Sequence, residues 1–327
     1  MSNQMKMSAA ELGALWTTYH KKTMILRILD YFIEKADDSK AKELMSELQE
    51  KLHEKVITIK TMFKNEGAAT PIGFTEEDVH LNVPKLWDNG FDILFCRVLK
   101  EISMGMYVLH MTISYREDIV KLYKQLTELT QTYYEHFTQY LLAKDYLTQP
   151  NYTTMPTSVD YITSKDYMKG TNLFGHKRAI NTVEYGIMYL NLETNSTGMK
   201  LMKGFAQCSK DEEVKQYFSK GLELTKEIML ETEQVLVQSD IRPPASPGGT
   251  VAPSTEAPFS ERLMMFCTYL LGGFSLGGVG FSGAFNLRHD IAAKSAVFAK
   301  DIFEYTMQGA ELMMTKGWLE EPPRMNV

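Results

Sequence analysis

The chain states one pattern twice, at an interval the length of a domain. Glu11-x-Gly13 opens a stretch that closes on Phe32, and Glu184-x-Gly186 opens one that closes on Phe205, an offset of 184 − 11 = 173 residues. The match holds at that offset through Asp38 and Asp211, Ser46 and Ser219, and Glu50 and Glu223. After a one-residue slip it resumes at 172: Ser103-Met104-Gly105 meets Ser275-Leu276-Gly277, and Arg116-Glu117-Asp118-Ile119 meets Arg288-His289-Asp290-Ile291. A period this long exceeds any solenoid repeat, so the duplicated unit is a whole domain. Two domains are expected, residues 1–165 and 166–327, each long enough to bury its own core.

With 44% hydrophobic and 23% charged residues, the composition is that of a globular chain and not a disordered one. The net charge of −6, without a basic tract, argues against a nucleic-acid partner. The opening residues 1–13 contain no apolar stretch of the kind a secretory signal needs. Cys96, Cys208 and Cys267 lie far apart in apolar surroundings. They read as buried, reduced thiols, and a cytoplasmic location is expected.

Apolar residues recur every three or four positions, the period of an amphipathic helix. In the second helix they stand at 41, 44, 45, 48, 52, 56, 59, 62 and 63. The spacing predicts helices over residues 8–36, 38–66, 89–115 and 117–145, and again over 181–208, 210–238, 259–287 and 290–316. Short turns join the first helix to the second and the third to the fourth, making each pair antiparallel. A link of about 20 residues, unusual inside a compact domain, joins the second to the third. One long crossover of this kind is the ferritin-like topology. The fold class is therefore all-α: two tandem ferritin-like four-helix bundles from an internal duplication. The second crossover is Pro-rich over residues 242–258 and is expected to be non-helical and mobile. Asp118 and Asp290 read as N-caps of the fourth helix in each unit, with Arg116 and Arg288 complementing the end of the third.

Several motifs extend this reading: the duplicated Glu-x-Gly opening, P-I-G-F-T-E-E-D-V at 71–79, L-N-V-P-K-L at 81–86, P-F-S-E-R-L-M-M-F at 258–266 and G-W-L-E-E-P-P at 317–323. Together they make the chain resemble the ferritin-like family known as domain of unknown function 3231 (DUF3231), found mainly in spore-forming Bacillus-type Firmicutes. The resemblance spans essentially the whole chain. It implies a pair of ferritin-like bundles, a Firmicute source and a link to sporulation or spore layers, but no reaction.

Ferritin-like proteins hold a metal pair with a Glu on each of two helices and a Glu-x-x-His on each of the other two, all facing inward. Glu50-x-x-His53 has that spacing. At about 100° per residue, however, both point away from the stripe of Leu48, Leu52, Val56, Ile59 and Phe63. Their repeat counterparts are Glu223 and Lys226, and a charged lysine offers no lone pair. His20, its counterpart Glu193, His110, His136 and Asp301 remain at the edge of the core, Asp301 being the most inward. One inward carboxylate cannot build a dinuclear site, so no cofactor is expected. Bound iron or manganese is the alternative, with His20, Glu193 and Asp301 as candidate ligands. There is no P-loop, no G-x-S-x-G elbow and no H-E-x-x-H. The glycines of residues 272–283 follow no strand, so they are no dinucleotide fingerprint.

The two units diverge most in the third helix of the second. Residues 263–287 carry no charge and are long enough to span a bilayer. Gly273, Gly277, Gly280 and Ala284 fall on one stripe, which lets another helix backbone approach closely. Burial where two bundles or two subunits meet is the favoured reading. The alternatives are reversible membrane contact and a cavity beside the stripe that holds an apolar ligand. The 21 methionines, read first as core filling, keep a partner-binding surface open together with Trp16, Trp87 and Trp318.

Three functions compete. The first is a non-catalytic structural or interaction protein on a degenerate ferritin-like scaffold, with a protein partner or self-association. The second is a di-iron or manganese oxidase or an iron-handling protein. The third is a binder of an apolar small molecule or lipid.

Overall fold

A computed structural model describes residues 5–169 and 178–325. Among these residues lie eight α-helices in two sets of four. The first set is α1 (Ala9–Lys35), α2 (Ser39–Asn65), α3 (Phe91–Thr112) and α4 (Glu117–Ala143). The second is α5 (Thr182–Cys208), α6 (Glu212–Val237), α7 (Glu261–Phe285) and α8 (His289–Thr315). Each boundary lies within about three residues of its sequence expectation, because the ends carry strong local signals. Ser8 caps α1 and Asn181 caps α5, each in a reciprocal box with Glu11 or Glu184. Asp38 and Asp211 cap α2 and α6 through their side-chain oxygens. These bonds satisfy the backbone N–H groups that a helix start leaves open.

Within each set, α1 packs on α2, α3 on α4, and α5 and α7 on α6 and α8 in the same way. The long links bring α2 beside α4 and α6 beside α8. The links also meet each other. Two-residue strands β1 (Trp87–Asp88) and β2 (Thr250–Val251), one from each crossover, pair antiparallel with Trp87 opposite Val251. The Pro-rich segment is non-helical, as expected, but it is tied down and not free. Gly248 N–H donates to the Tyr146 carbonyl, and Lys200 Nζ donates to the Gly248 carbonyl at 2.8 Å.

The two halves share their main core, while two smaller apolar clusters, one around Leu192 and Leu236 and one around Ile228 and Val279, belong to the second half alone. A single contiguous cluster of buried apolar residues runs from Leu15 and Phe32 through Phe91 to Phe205, Met264 and Tyr305. The helix buried on every side is α1, from Thr18 to Leu29. Crossover residues cover its outer face: the Thr23 hydroxyl accepts from Phe74 N–H, and the Tyr31 hydroxyl donates to the Pro84 carbonyl. The apolar helix α7 was expected to be the enclosed one. Only 33% of its most apolar 18-residue stretch is buried, because it turns Leu263, Met264, Met265, Cys267 and Val279 inward and Gly273, Gly277 and Gly280 outward.

The Arg-x-Asp pairs also need correction. The residue at the N-cap of α4 is Arg116, and that of α8 is Arg288. Asp118 and Asp290 sit in the first turn, each gripped by the guanidinium two residues before it. The start of α4 is capped from another helix: Glu11 Oε1 accepts from Tyr115 N–H and Arg116 N–H. Glu184 does the same for Leu287 and Arg288 at the start of α8.

Candidate functional site

The family-like motifs converge on one seam beside α1. Asp78, from the 71–79 motif, accepts from the Ser260 hydroxyl at 2.6 Å and from Arg262 Nη2 at 2.9 Å, both residues of the 258–266 motif. Burial would raise the Asp78 pKa, but these bonds from Arg262 and Ser260 hold it below its ordinary value. Arg262 also lies over the Phe74 ring, 4.5 Å from its centroid, and Phe74 packs on Phe266 at 5.1 Å. Glu320, from the 317–323 motif, accepts from Ile72 N–H and Gly73 N–H at 2.8 and 2.7 Å. Its Oε1 lies 3.2 Å from His20 Nε2.

The three ligand candidates are thereby dispersed. His20 is held between Glu320 and the Trp16 carbonyl, to which its Nδ1 donates at 2.9 Å. Glu193, on α5, pairs across the seam with Arg97 of α3. Arg97 also donates to Thr138 at 2.8 Å and lies 3.4 Å from Glu101. Asp301, expected to be the most inward, has a side chain 37% exposed and faces Lys300. It sits on the flank of α8, whose buried positions are Ile302, Tyr305 and Thr306. Glu50, His53 and His136 are exposed. Among the described residues, no three His, Cys, Asp or Glu side chains are grouped to hold a metal ion.

What the helices bring to the middle of the first unit is a cluster of amines. Lys21 and Lys22 of α1 and Lys100 of α3 are all buried, at 1%, 0% and 1% exposure. Lys21 Nζ and Lys22 Nζ lie 4.2 and 4.8 Å from the Tyr107 ring centroid, and Lys21 also meets the Met106 sulfur at 3.4 Å. None of the three forms an ion pair among the described residues. Burial pushes the Lys100 ammonium down to about 8. Burial and the neighbouring Lys100 lower Lys21 and Lys22 well below the ordinary lysine value. His110 is lowered to about 4 by burial and by Lys21. Burial without a counter-ion favours the neutral amine, so the cluster supplies no anionic ligand to a divalent cation.

The same layer of the second unit is hollow. At the two repeat offsets, Lys21 becomes Thr194, Ile25 becomes Gly198, Leu52 becomes Thr225, Lys100 becomes Gly272 and Met106 becomes Gly278. A cavity of about 150 Å³ occupies the vacated space, walled by Phe95 and Val98 of α3 and by all four helices of the second unit. The packing below it is tight. The Tyr217 and Tyr305 rings stack at 4.3 Å and 4°. Each hydroxyl fills the place where a Cβ would stand on the opposite helix, Tyr305 at Gly221 and Tyr217 at Gly309.

The glycine stripe takes no part in packing within the chain. Gly273, Gly277, Gly280 and Ala284 are exposed, and a Cβ added at any of the three glycines would meet nothing within 4 Å. The expectation that one half of the chain buries this stripe against the other is corrected. By length and composition α7 is able to cross a membrane. Helical phase alone missed the lysine cluster, and the cavity considered beside Gly273, Gly277 and Gly280 is lined on α7 by Gly272 and Gly278 instead. A signal was in the sequence nonetheless: a run of large-for-small exchanges between paired repeat positions.

Fold and site define the class of protein: an all-α chain of two tandem four-helix halves fused through a shared main core, with a filled first unit and a hollow second. The chain belongs to the DUF3231 family, described as proteins of unknown function, whose model matches residues 1–159 and again 168–327. Among solved structures it is similar to a putative spore coat protein from Bacillus halodurans C-125. The identity is 17% and the TM-score 0.43, over 46% of this chain and 98% of that one. No curated protein matches the chain.

Proposed function

We propose that this chain is a non-catalytic structural or interaction protein on a degenerate ferritin-like scaffold. One observation carries the reading: the motifs at 71–79, 258–266 and 317–323 bond chiefly to one another and to α1. They act as a clasp between halves and not as a reaction centre. The buried lysines argue in the same direction, since they supply none of the carboxylates that a ferritin-like metal pair needs. The exposed face of Gly273, Gly277, Gly280 and Ala284 supports a helix-packing surface for self-association or a protein partner. The family resemblance supports a sporulation-associated role in the cytoplasm or the spore.

The test is elemental analysis by plasma mass spectrometry of the full chain, purified from its host without chelators. Less than about a tenth of an equivalent of iron or manganese is expected. One or more equivalents per bundle would overturn the reading in favour of a metal oxidase or iron-handling protein.

A further inference from the structure

We infer that the cavity of the second unit is a binding site for a neutral, single-ring apolar molecule with one hydrogen-bonding end. The volume is the first argument. About 150 Å³ is the size of a dry protein cavity that takes up benzene. The wall is the second. Phe95, Val98, Leu224, Ile228, Leu271 and Ile302 supply an apolar surface, and no charged side chain lines it. A carboxylate or ammonium entering it would lose its hydration without a counter-ion.

The polar groups at one side are the third argument. The hydroxyls of Thr194, Thr225 and Thr268 donate to carbonyls of their own helices, at 2.7, 2.9 and 2.9 Å. Asn195 Nδ2 donates to the Asn191 carbonyl at 2.8 Å, leaving its side-chain oxygen open. The Asn191 carboxamide forms no hydrogen bond among the described residues. The two amides on α5 therefore offer an acceptor to a ligand hydroxyl or N–H. Leu190 and Gly278, both exposed, belong to the wall, so the cavity reaches the surface.

The repeat supplies the fourth argument. The first unit has the same helices at the same spacing and fills this layer with Ile25, Leu52, Lys100 and Met106. The architecture therefore does not impose a hollow. The second unit has one because several inward positions became small together.

Benzyl alcohol is the probe, titrated into the full chain and followed by calorimetry and by ligand-observed NMR, with benzoate as the charged control. Saturable one-to-one binding of benzyl alcohol is expected, with none for benzoate. Two variants restore first-unit residues at positions with room for a side chain: Gly198→Ile, and separately Gly278→Met. Each is expected to weaken binding at least tenfold while the melting temperature of the free protein stays level or rises. The inference is overturned by absence of saturable binding, by equal binding of benzoate, or by unchanged affinity in both folded variants. The result is independent of metal content, so the two readings fail separately.

Discussion

Glu11, at the start of α1, caps α4: its Oε1 accepts the backbone N–H of Arg116 at 2.8 Å, while its Oε2 closes the box with Ser8. Glu184 and Arg288 repeat the bond at 3.1 Å in the second unit. This explains why the Glu of the Glu-x-Gly opening occurs twice. One carboxylate satisfies open donors at two helix starts and fixes the angle between the helices. Glu11→Ala is expected to cost about 2–4 kcal/mol, since it leaves several buried N–H groups unpaired, as measured by urea denaturation at pH 7. Burial raises the Glu11 pKa, but the N–H bonds of Arg116, Ser8 and Tyr115 together bring it below 4.5. Its contribution is therefore present above 4.5 and is lost as pH falls through the lower folded value. Glu11→Gln should flatten that acid limb.

Glu101 carries the opposite sign. Burial raises its carboxyl to about 7, with Arg97 opposing and Glu193 reinforcing the shift. The folded state then holds a proton that the unfolded state has released. The Glu101 contribution to stability falls as pH rises from about 4.5 through about 7, by roughly 3 kcal/mol. Glu101→Gln should remove this slope in melting curves taken across that interval. An unchanged slope would show that Glu101 is ionised in the seam.

Lys100 is buried without a carboxylate, and its pKa is lowered to about 8 by burial. Stability should therefore rise as pH increases from about 8 towards 10.5. Lys100→Met keeps the stem and removes the amine. It is expected to add about 1–3 kcal/mol at pH 7 and to reduce the alkaline rise, the remainder belonging to Lys21 and Lys22. A destabilised Lys100→Met would mean that the amine has a counter-ion in solution.

Gly221 and Tyr305 interlock. A Cβ at Gly221 would overlap the Tyr305 hydroxyl, and Tyr305 cannot retreat without breaking its stack on Tyr217. Gly221→Ala is expected to cost about 2 kcal/mol by overpacking, although alanine is the better helix former. Adding Tyr305→Phe should recover only part of the loss, because it removes the overlapping oxygen but leaves the ring carbon Cζ at 2.7 Å from that Cβ.

Gly277 is exposed, with open space where a Cβ would stand. Gly277→Leu should therefore leave the melting temperature within a degree or two. If the stripe packs against a second chain, the same change should dissociate the oligomer in sedimentation velocity.

The helices were legible because their signals are local: Ser8, Asp38, Asn181 and Asp211 mark starts, and the apolar period marks faces. The α1 environment was not. Thr18, Lys21, Lys22 and Thr23 are polar, and spacing within α1 carries no sign that the crossovers and the second unit cover them; His20 was placed only at the edge of the core. The reverse error arose at α7. Its uncharged run reads as enclosed on all sides, but glycine and alanine cost little to leave in water, so the helix can show that face to solvent. Glu193 was singled out correctly as a core-edge residue, yet its partner Arg97 lies 96 positions away, and spacing within a helix carries no information about such a pair.

The measurement that bears most directly on a filled first unit and a hollow second is a crystal structure of the chain pressurised with xenon. One xenon atom is expected between Phe95, Gly198, Thr225 and Gly272, with none beside Lys21, Lys22 and Lys100. A second unit closed over that space and empty of xenon, or equal occupancy in both units, would contradict the account.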